Sequence, residues 1–135
     1  MKKLLLIDDD EELCAELTEV LGAEGYEVDT AFDGLRGLQY LKSRQYHIII
    51  LDLKLPGLNG YEVLESFRKI AKPAKVLVLS GKPLGEPLLK EAGILRGEEE
   101  KVLNMADAVM NKPFMVKEFL QQIKTLTLSI VEKSH

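Results

Sequence analysis

The stretch LLLIDDDEE, residues 4–12, passes from four apolar residues to five acidic ones with nothing between them. An apolar run of that length is one buried strand, and the acids then stand at its carboxyl end, where a helix begins. Four further runs have the same character: YEVDTA (26–31), HIIIL (47–51), KVLVL (75–79) and DAVM (107–110). With KLLLI (3–7) they make five short strands, separated by stretches of helical periodicity, which is the pattern of a parallel sheet with crossover helices. The first, third and fourth runs are apolar at nearly every position, as expected when helices cover both faces of the sheet. The second alternates and suits an edge.

The first helix is expected over 11–23, with Leu13, Leu17, Val20 and Leu21 on one stripe and Gly22 and Gly25 near its end. The second is expected over about 34–44 with Leu35, Leu38 and Leu41 inward, and the third over about 60–71 with Val63, Leu64, Phe67 and Ile70. The last is expected over about 115–132, presenting Val116, Phe119, Leu120, Ile123, Leu126 and Ile130. The fold class is α/β, a (βα)5 doubly wound three-layer sandwich, and 135 residues suffice for one such domain.

Composition excludes several functions. With 22 acidic and 18 basic residues the formal charge is −4, so there is no basic footprint for nucleic acid. The longest uninterrupted apolar runs have four residues, far short of a membrane span, and the N-terminus has no signal-peptide pattern. A cytoplasmic protein with no membrane partner is expected. The single cysteine, Cys14, excludes an intramolecular disulfide and reads as a small hydrophobe on a helix face.

In a doubly wound sheet, ligands bind outside the carboxyl ends of the strands. There the sequence places Asp8, Asp9 and Asp10 after strand one, Asp52 after strand three, Ser80 after strand four, and Asn111, Lys112 and Pro113 after strand five. If Asp8, Asp9 and Asp52 cluster, their mutual repulsion calls for a cation, and hard oxygen ligands suit Mg2+. Three carboxylates, one Mg2+ and the Lys112 ammonium sum to zero charge. Asp52 is then placed as a carboxylate nucleophile, with Lys112, Ser80 and the metal around the oxygens of an incoming phosphoryl group. Asp10, Glu11 and Glu12 read equally well as a solvated helix start. His47 and His135 read as a strand-entry residue and a tail residue.

These residues resemble the receiver domains of two-component response regulators. The matching motifs are LLLIDDDEEL for the acid pair, IIILDLKLPGLNGYEVL for the phosphoacceptor strand and its loop, VLVLSG for the hydroxyl and NKPF for the lysine. The resemblance implies a flavodoxin-like sheet in the order 2-1-3-4-5, with one receiver domain over 1–135. It also implies phosphorylation at Asp52, and Mg2+ held by Asp9, Asp52 and the main-chain carbonyl of Lys54, with Asp8 acting through water. Ser80 and Lys112 would bind the phosphoryl group. The partners implied are a histidine kinase or histidine phosphotransfer protein and a downstream protein. The role is that of a phosphoacceptor that promotes its own phosphorylation and dephosphorylation, not of an enzyme with an external substrate. A cis bond before Pro113 is common in the family, and the sequence leaves it open.

Two features depart from the family pattern. Ser80 and Lys112 are 32 positions apart, about ten more than the resemblance leads one to expect, which puts an extra segment near 81–97. That segment is apolar enough for a short extra helix, with EEEKVLNMA (98–106) as a shortened fourth helix after it. The family's inward-swinging aromatic on strand five is replaced by Val109. Lys54 and Lys82 are expected to border the acyl phosphate. The leading expectation is a stand-alone, diffusible receiver. The alternative is a phosphorylation-independent binding module acting through the inserted segment. A phosphatase of the haloacid-dehalogenase type requires an acid two places after the nucleophile, where Lys54 stands, and no GxGxxG follows strand one for a dinucleotide.

Overall fold

The computed structural model describes residues 1–70, 72–81 and 104–130. The strands are β1 (Lys3–Ile7), β2 (Glu27–Ala31), β3 (Ile48–Asp52), β4 (Lys75–Ser80) and β5 (Ala108–Asn111), and the helices α1 (Glu11–Ala23), α2 (Gly34–Ser43), α3 (Gly60–Ile70) and α4 (Val116–Ser129). All strand pairs are parallel, and the order is β2-β1-β3-β4-β5, as expected. The expected extra segment at 81–97 lies outside the described residues apart from Gly81, and so does the fourth helix expected at 98–106 apart from 104–106, where Asn104 and Met105 form a turn.

Alternation along the strands divides the core into two layers. Leu4, Leu6, Ile48, Ile50, Leu77 and Leu79 face α1 and α4, where they meet Cys14, Leu17, Leu21, Phe119 and Ile123. Leu5, Ile7, Ile49, Leu51, Val76 and Val78 face α2 and α3, where they meet Leu41, Val63, Leu64 and Phe67. Successive side chains point to opposite faces of a strand, so an unbroken apolar run serves both layers. β1, β3 and β4 therefore end, at the carboxyl edge, at or just before the first polar residue after the apolar run.

The helix ends follow local chemistry. Asp10 is the N-cap of α1, its Oδ1 accepting from the Leu13 N–H at 3.0 Å, so this acid serves the helix. α1 closes in a Schellman motif: Tyr26 N donates to Leu21 O and Gly25 N to Gly22 O, with Gly25 at φ 91°. Where α2 was expected to bury Leu35, the structure buries Gly34, Gly37 and Leu41 and leaves Leu35 61% exposed. The reason is closeness. A Cβ on Gly37 would lie 2.6 Å from Ile7 Cδ1, so α2 approaches the sheet on its glycines and its leucine at 35 turns out.

At the opposite edge, Arg68 fastens the chain that enters β5. Its Nε and Nη2 donate to Met105 O at 2.9 and 2.7 Å, its Nη1 to Ala74 O at 3.1 Å, and its Nη2 also to Asp107 Oδ2 at 3.1 Å. Asp107 Oδ2 in turn accepts the Val76 N–H at 2.7 Å. This network sets the register of β5 on β4.

Gly60 and Gly22 make a paired test of close approach. A Cβ on Gly60 would run into the Asp52 carbonyl and Leu53 Cα, all backbone, whereas one on Gly22 would meet nothing. Gly60→Ala is expected to lower unfolding stability by roughly 1–3 kcal/mol, because the backbone must shift. Gly22→Ala, in the last turn of α1, is expected to raise it by about 0.5–1 kcal/mol. Urea titration of the two variants against wild type measures both.

Candidate functional site

The carboxyl edge of the sheet collects the polar residues that the apolar strands exclude. Asp8 follows β1 and is 0% exposed. Its N–H continues the ladder to Ala31 O at 3.0 Å, which fixes the backbone and sends the carboxylate inward. Each oxygen has a partner: Oδ1 accepts the Asp10 N–H at 3.0 Å, and Oδ2 accepts from Lys112 Nζ at 2.6 Å. A buried carboxylate is tolerated only when paired and hydrogen-bonded in this way.

Asp52 is the last residue of β3 and is 4% exposed. Its Oδ1 accepts the Lys54 N–H at 3.2 Å, and its Oδ2 lies 3.5 Å from Lys112 Nζ. The loop after it turns through Gly57 at φ 69°, and Asn59 Oδ1 caps α3 by accepting the Glu62 N–H at 3.0 Å. Asp9 projects to solvent beside them. One carboxylate oxygen from each of Asp8, Asp9 and Asp52 lies within 4.8 Å of the others. At that separation a pair of full charges repels by roughly 3 kcal/mol at an effective dielectric near 20.

The electrostatics follow from this crowding. Burial, then the charge of Asp8, pushes the Asp52 carboxyl up from 3.8 to about 6, against the pull of Lys112 and the Lys54 N–H. Burial lowers the Lys112 ammonium, but its hydrogen bond to Asp8 and the charges of Asp52 and Asp8 outweigh that, so its pKa is raised overall and it stays protonated. One ammonium against three carboxylates leaves the cluster two negative charges in excess. An all-oxygen donor set with that excess fits a hard divalent cation such as Mg2+.

Lys112 is positioned from both sides. Its N–H donates to Ser80 O at 2.6 Å, where Asn111 pairs with Ser80 in register, and its bond to Pro113 is cis. Phe114 stacks on Phe119 of α4 at 5.4 Å between ring centroids. Ser80 ends β4 and is 6% exposed. Thus Asp8, Asp9, Asp52, Ser80 and Lys112 meet at one edge, with Lys54 beside them. Val109 stands apart in β5, 37% exposed, on the face opposite Ala108 and Met110. Lys82 lies outside the described residues. His47 is at the other end of the sheet, where its Nδ1 accepts the Lys3 N–H at 2.9 Å.

Sequence reasoning did not find three contributors. The direct Asp8–Lys112 contact joins residues 104 apart, and only the folded sheet brings them together. Gly60 packs its Cα under the Asp52 carbonyl, although in sequence it is one turn glycine among others. Cys14 Sγ lies 3.4 Å from Asp8 O, and burial, with the Asp8 and Asp10 charges, pushes its thiol up to about 12. It is an inert wall of the site.

The chain is similar to known proteins over nearly its whole length. The model of the response regulator receiver domain matches residues 4–93. The Transcriptional regulatory protein CpxR homolog of Haemophilus influenzae is 37% identical over 127 residues, which is 93% of this chain and 50% of that protein. Response regulator ArlR of Staphylococcus aureus is 31% identical over 126 residues, 93% of this chain and 52% of that protein. The chain therefore spans about half the length of the curated relatives it matches. Among solved structures, the response regulator TrrA of Thermotoga maritima in complex with Mg(2+)-BeF superposes with a TM-score of 0.77 at 32% identity, covering 93% of this chain and 99% of that one. TrrA in complex with the histidine kinase ThkA superposes with a TM-score of 0.75 at 31% identity, covering 93% and 98%. With its strand order, its acidic edge and these likenesses taken together, the chain belongs to the response regulator receiver domains of two-component systems.

Proposed function

We propose that this chain accepts a phosphoryl group on Asp52 from a phosphohistidine of a histidine kinase or phosphotransfer protein, in a Mg2+-dependent reaction in the cytoplasm, and signals by phosphorylation-dependent protein binding. The observation that carries this is the cluster of Asp8, Asp9 and Asp52, with Asp8 and Asp52 both facing the Lys112 ammonium, in a member of the receiver family. The TrrA complex with its kinase supports a donor of that class.

The residues divide the work by geometry. An Asp52 carboxylate oxygen attacks phosphorus; the new P–O bond forms as the P–N bond to the donor imidazole breaks, and the imidazole, protonated on its other nitrogen, leaves neutral. Lys112 stands 3.5 Å from Asp52 Oδ2 and turns its charge from Asp8 toward the arriving phosphoryl oxygens. The Ser80 hydroxyl donates to another of those oxygens. Asp9, Asp52 and the Lys54 carbonyl would hold Mg2+, while both oxygens of Asp8 already accept hydrogen bonds, which suits its action through water. When bound, Mg2+ neutralises the excess negative charge and stabilises charge on the phosphoryl group. Since Val109 has no ring to swing inward, the response passes through Ser80 and Lys112. The surface it acts on belongs to another protein or to another part of a longer chain.

Two outcomes test this. Incubation with a small acyl-phosphate donor is expected to add one phosphoryl group to wild type with Mg2+, none without it, and none to Asp52→Ala, read by intact mass. A gain that persists in Asp52→Ala sinks the assignment.

The second is a pH dependence in Mg2+-free buffer. Because Asp52 titrates near 6 in the folded state and near 3.8 when unfolded, the folded state binds the proton more tightly. Its contribution is present below pH 4 and is lost as pH rises through about 6. Asp52→Asn removes this loss, so it is expected to unfold later than wild type at pH 7.5, by on the order of 2 kcal/mol, with the difference shrinking at pH 4. Thermal melts at the two pH values measure it, and added Mg2+ narrows the gap at pH 7.5.

A further inference from the structure

Of the groups that would hold Mg2+, the Lys54 carbonyl alone belongs to the main chain, so its place is set by the path of the loop between β3 and α3. The two ends of that loop are tied together at the sheet. Leu53 N donates to Leu79 O and Gly60 N to Leu53 O, each at 3.0 Å. The span between them, 54–59, turns through Gly57 at φ 69°, buries Leu55 in the layer facing α2 and α3, and packs Leu58 against that layer. Its far side rests on another element. Leu58 meets Gly34, the first residue of α2, backbone to backbone: a Cβ there would run into the Leu58 carbonyl oxygen and stand 3.0 Å from its carbon and from Val63 Cγ2. Gly34 is not at positive φ, as Gly25 and Gly57 are, so space and not backbone conformation calls for glycine. The helix it opens is itself held. Asp33 Oδ1 accepts the Arg36 N–H at 2.7 Å and Asp33 O the Gly37 N–H at 3.1 Å, while Gly37 lies against Ile7 of β1. The first turn of α2 is thus a fixed stop on which the loop lies.

We infer that Gly34 is a positioning residue for the cation site: by letting the loop lie on the first turn of α2, it places the Lys54 carbonyl where Mg2+ meets it together with Asp9 and Asp52. The inference rests on the reading of that carbonyl as a ligand. Mg2+ demands short bonds in near-ideal octahedral geometry, so a ligand carried by a loop has to be held in place before the ion arrives. A methyl group on residue 34 must push Leu58 outward, since α2 is pinned to the sheet and cannot retreat. Because the loop is closed at Leu53 and Gly60, the displacement is confined to 54–59, and Lys54 is among the residues that absorb it. The coupling is reciprocal: if the first turn of α2 favours the metal, the metal favours the first turn of α2 by the same factor. A residue that served only to pack the helix would show neither effect.

The test is a Mg2+ titration followed through the backbone amide resonances of Asp9, Asp52 and Lys54, on wild type, Gly34→Ala and Leu41→Ala. Leu41 is buried at the other end of the same helix, so its truncation reads the loss of α2 packing alone. Gly34→Ala is expected to need about fivefold or more Mg2+ for half-saturation, and Leu41→Ala to match wild type. At saturating Mg2+, Gly34→Ala is expected to be labelled by a small acyl phosphate, its acceptor being intact. Hydrogen exchange reads the same coupling in wild type without any substitution. Saturating Mg2+ is expected to slow the Arg36 and Gly37 amides by about the same factor, while the Arg44 amide at the far end of α2, bonded to Tyr40 O at 2.8 Å, changes less. Equal half-saturation in wild type and Gly34→Ala, or equal weakening in Gly34→Ala and Leu41→Ala, overturns the positioning role and leaves the metal site standing. Should Gly34→Ala not fold, exchange decides: slowing at Arg36 and Gly37 upholds the role, and no change there overturns it. The absence of any Mg2+-dependent change at Asp9, Asp52 and Lys54 in wild type overturns the metal reading, and this inference with it.

Discussion

The contact between Lys112 Nζ and Asp8 Oδ2, 2.6 Å long, is the constraint on which the carboxyl edge depends. Three carboxylates gather there because two neighbouring strand ends, those of β1 and β3, bring them, and their repulsion opposes the packing that put them together. A single ammonium, delivered from the end of β5, offsets part of that opposition. The remaining excess negative charge, on oxygen donors alone, suits a hard divalent cation.

The apolar interior makes such an edge possible. Because β1, β3 and β4 are buried on both faces, their side chains cannot include charge until the strand has left the core, and all parallel strands leave it on the same side. The polar residues that follow are concentrated without any dedicated scaffold. Close approach refines the arrangement: Gly60 lies against the Asp52 carbonyl, Gly37 against Ile7, and Gly34 against the Leu58 carbonyl. Each brings a helix nearer the sheet than a side chain permits, and the three together hold the loop after Asp52 and the start of α2 as one unit. Arg68 performs the corresponding service at the far edge, so that β5, and with it Lys112, arrives in register.

The relatives give the site a context of similar chemistry on longer chains. The curated proteins are about twice the span matched here, and one is named for transcriptional regulation, whereas the residues considered in this chain carry a net negative charge. What they share with it is a matched span of 126 or 127 residues. Val109 stands on the fifth strand where the resemblance places a ring, and it is 37% exposed on the face opposite Ala108 and Met110.

Much of this was legible in the sequence because it is written in local patterns. Apolar runs of four or five residues ending in an acid, a serine or Asn-Lys-Pro specify strands, their burial and the edge at which polar groups appear, and α1 and β1 matched their expected bounds. Most boundaries that differed did so by a residue or so, as where Asp52 belongs to β3 itself and Asn111 to β5, since backbone pairing extends past the last apolar side chain, while the last helix, expected to about 132, ends at Ser129 with Ile130 as its C-cap. The periodicity of α2 misled, because a leucine stripe read as the inner face although glycines fit closer to Ile7. By itself, then, the sequence determined the α/β class, the layers and the set of candidate residues, all of which depend on residue type and spacing along the chain. Only the tertiary structure decided that Asp8 pairs with Lys112 across 104 positions, that Asp10 caps a helix while Asp9 joins the cluster, and that Leu35 faces outward. Those outcomes depend on distances through space and on how close two backbones can come, which no one-dimensional pattern records.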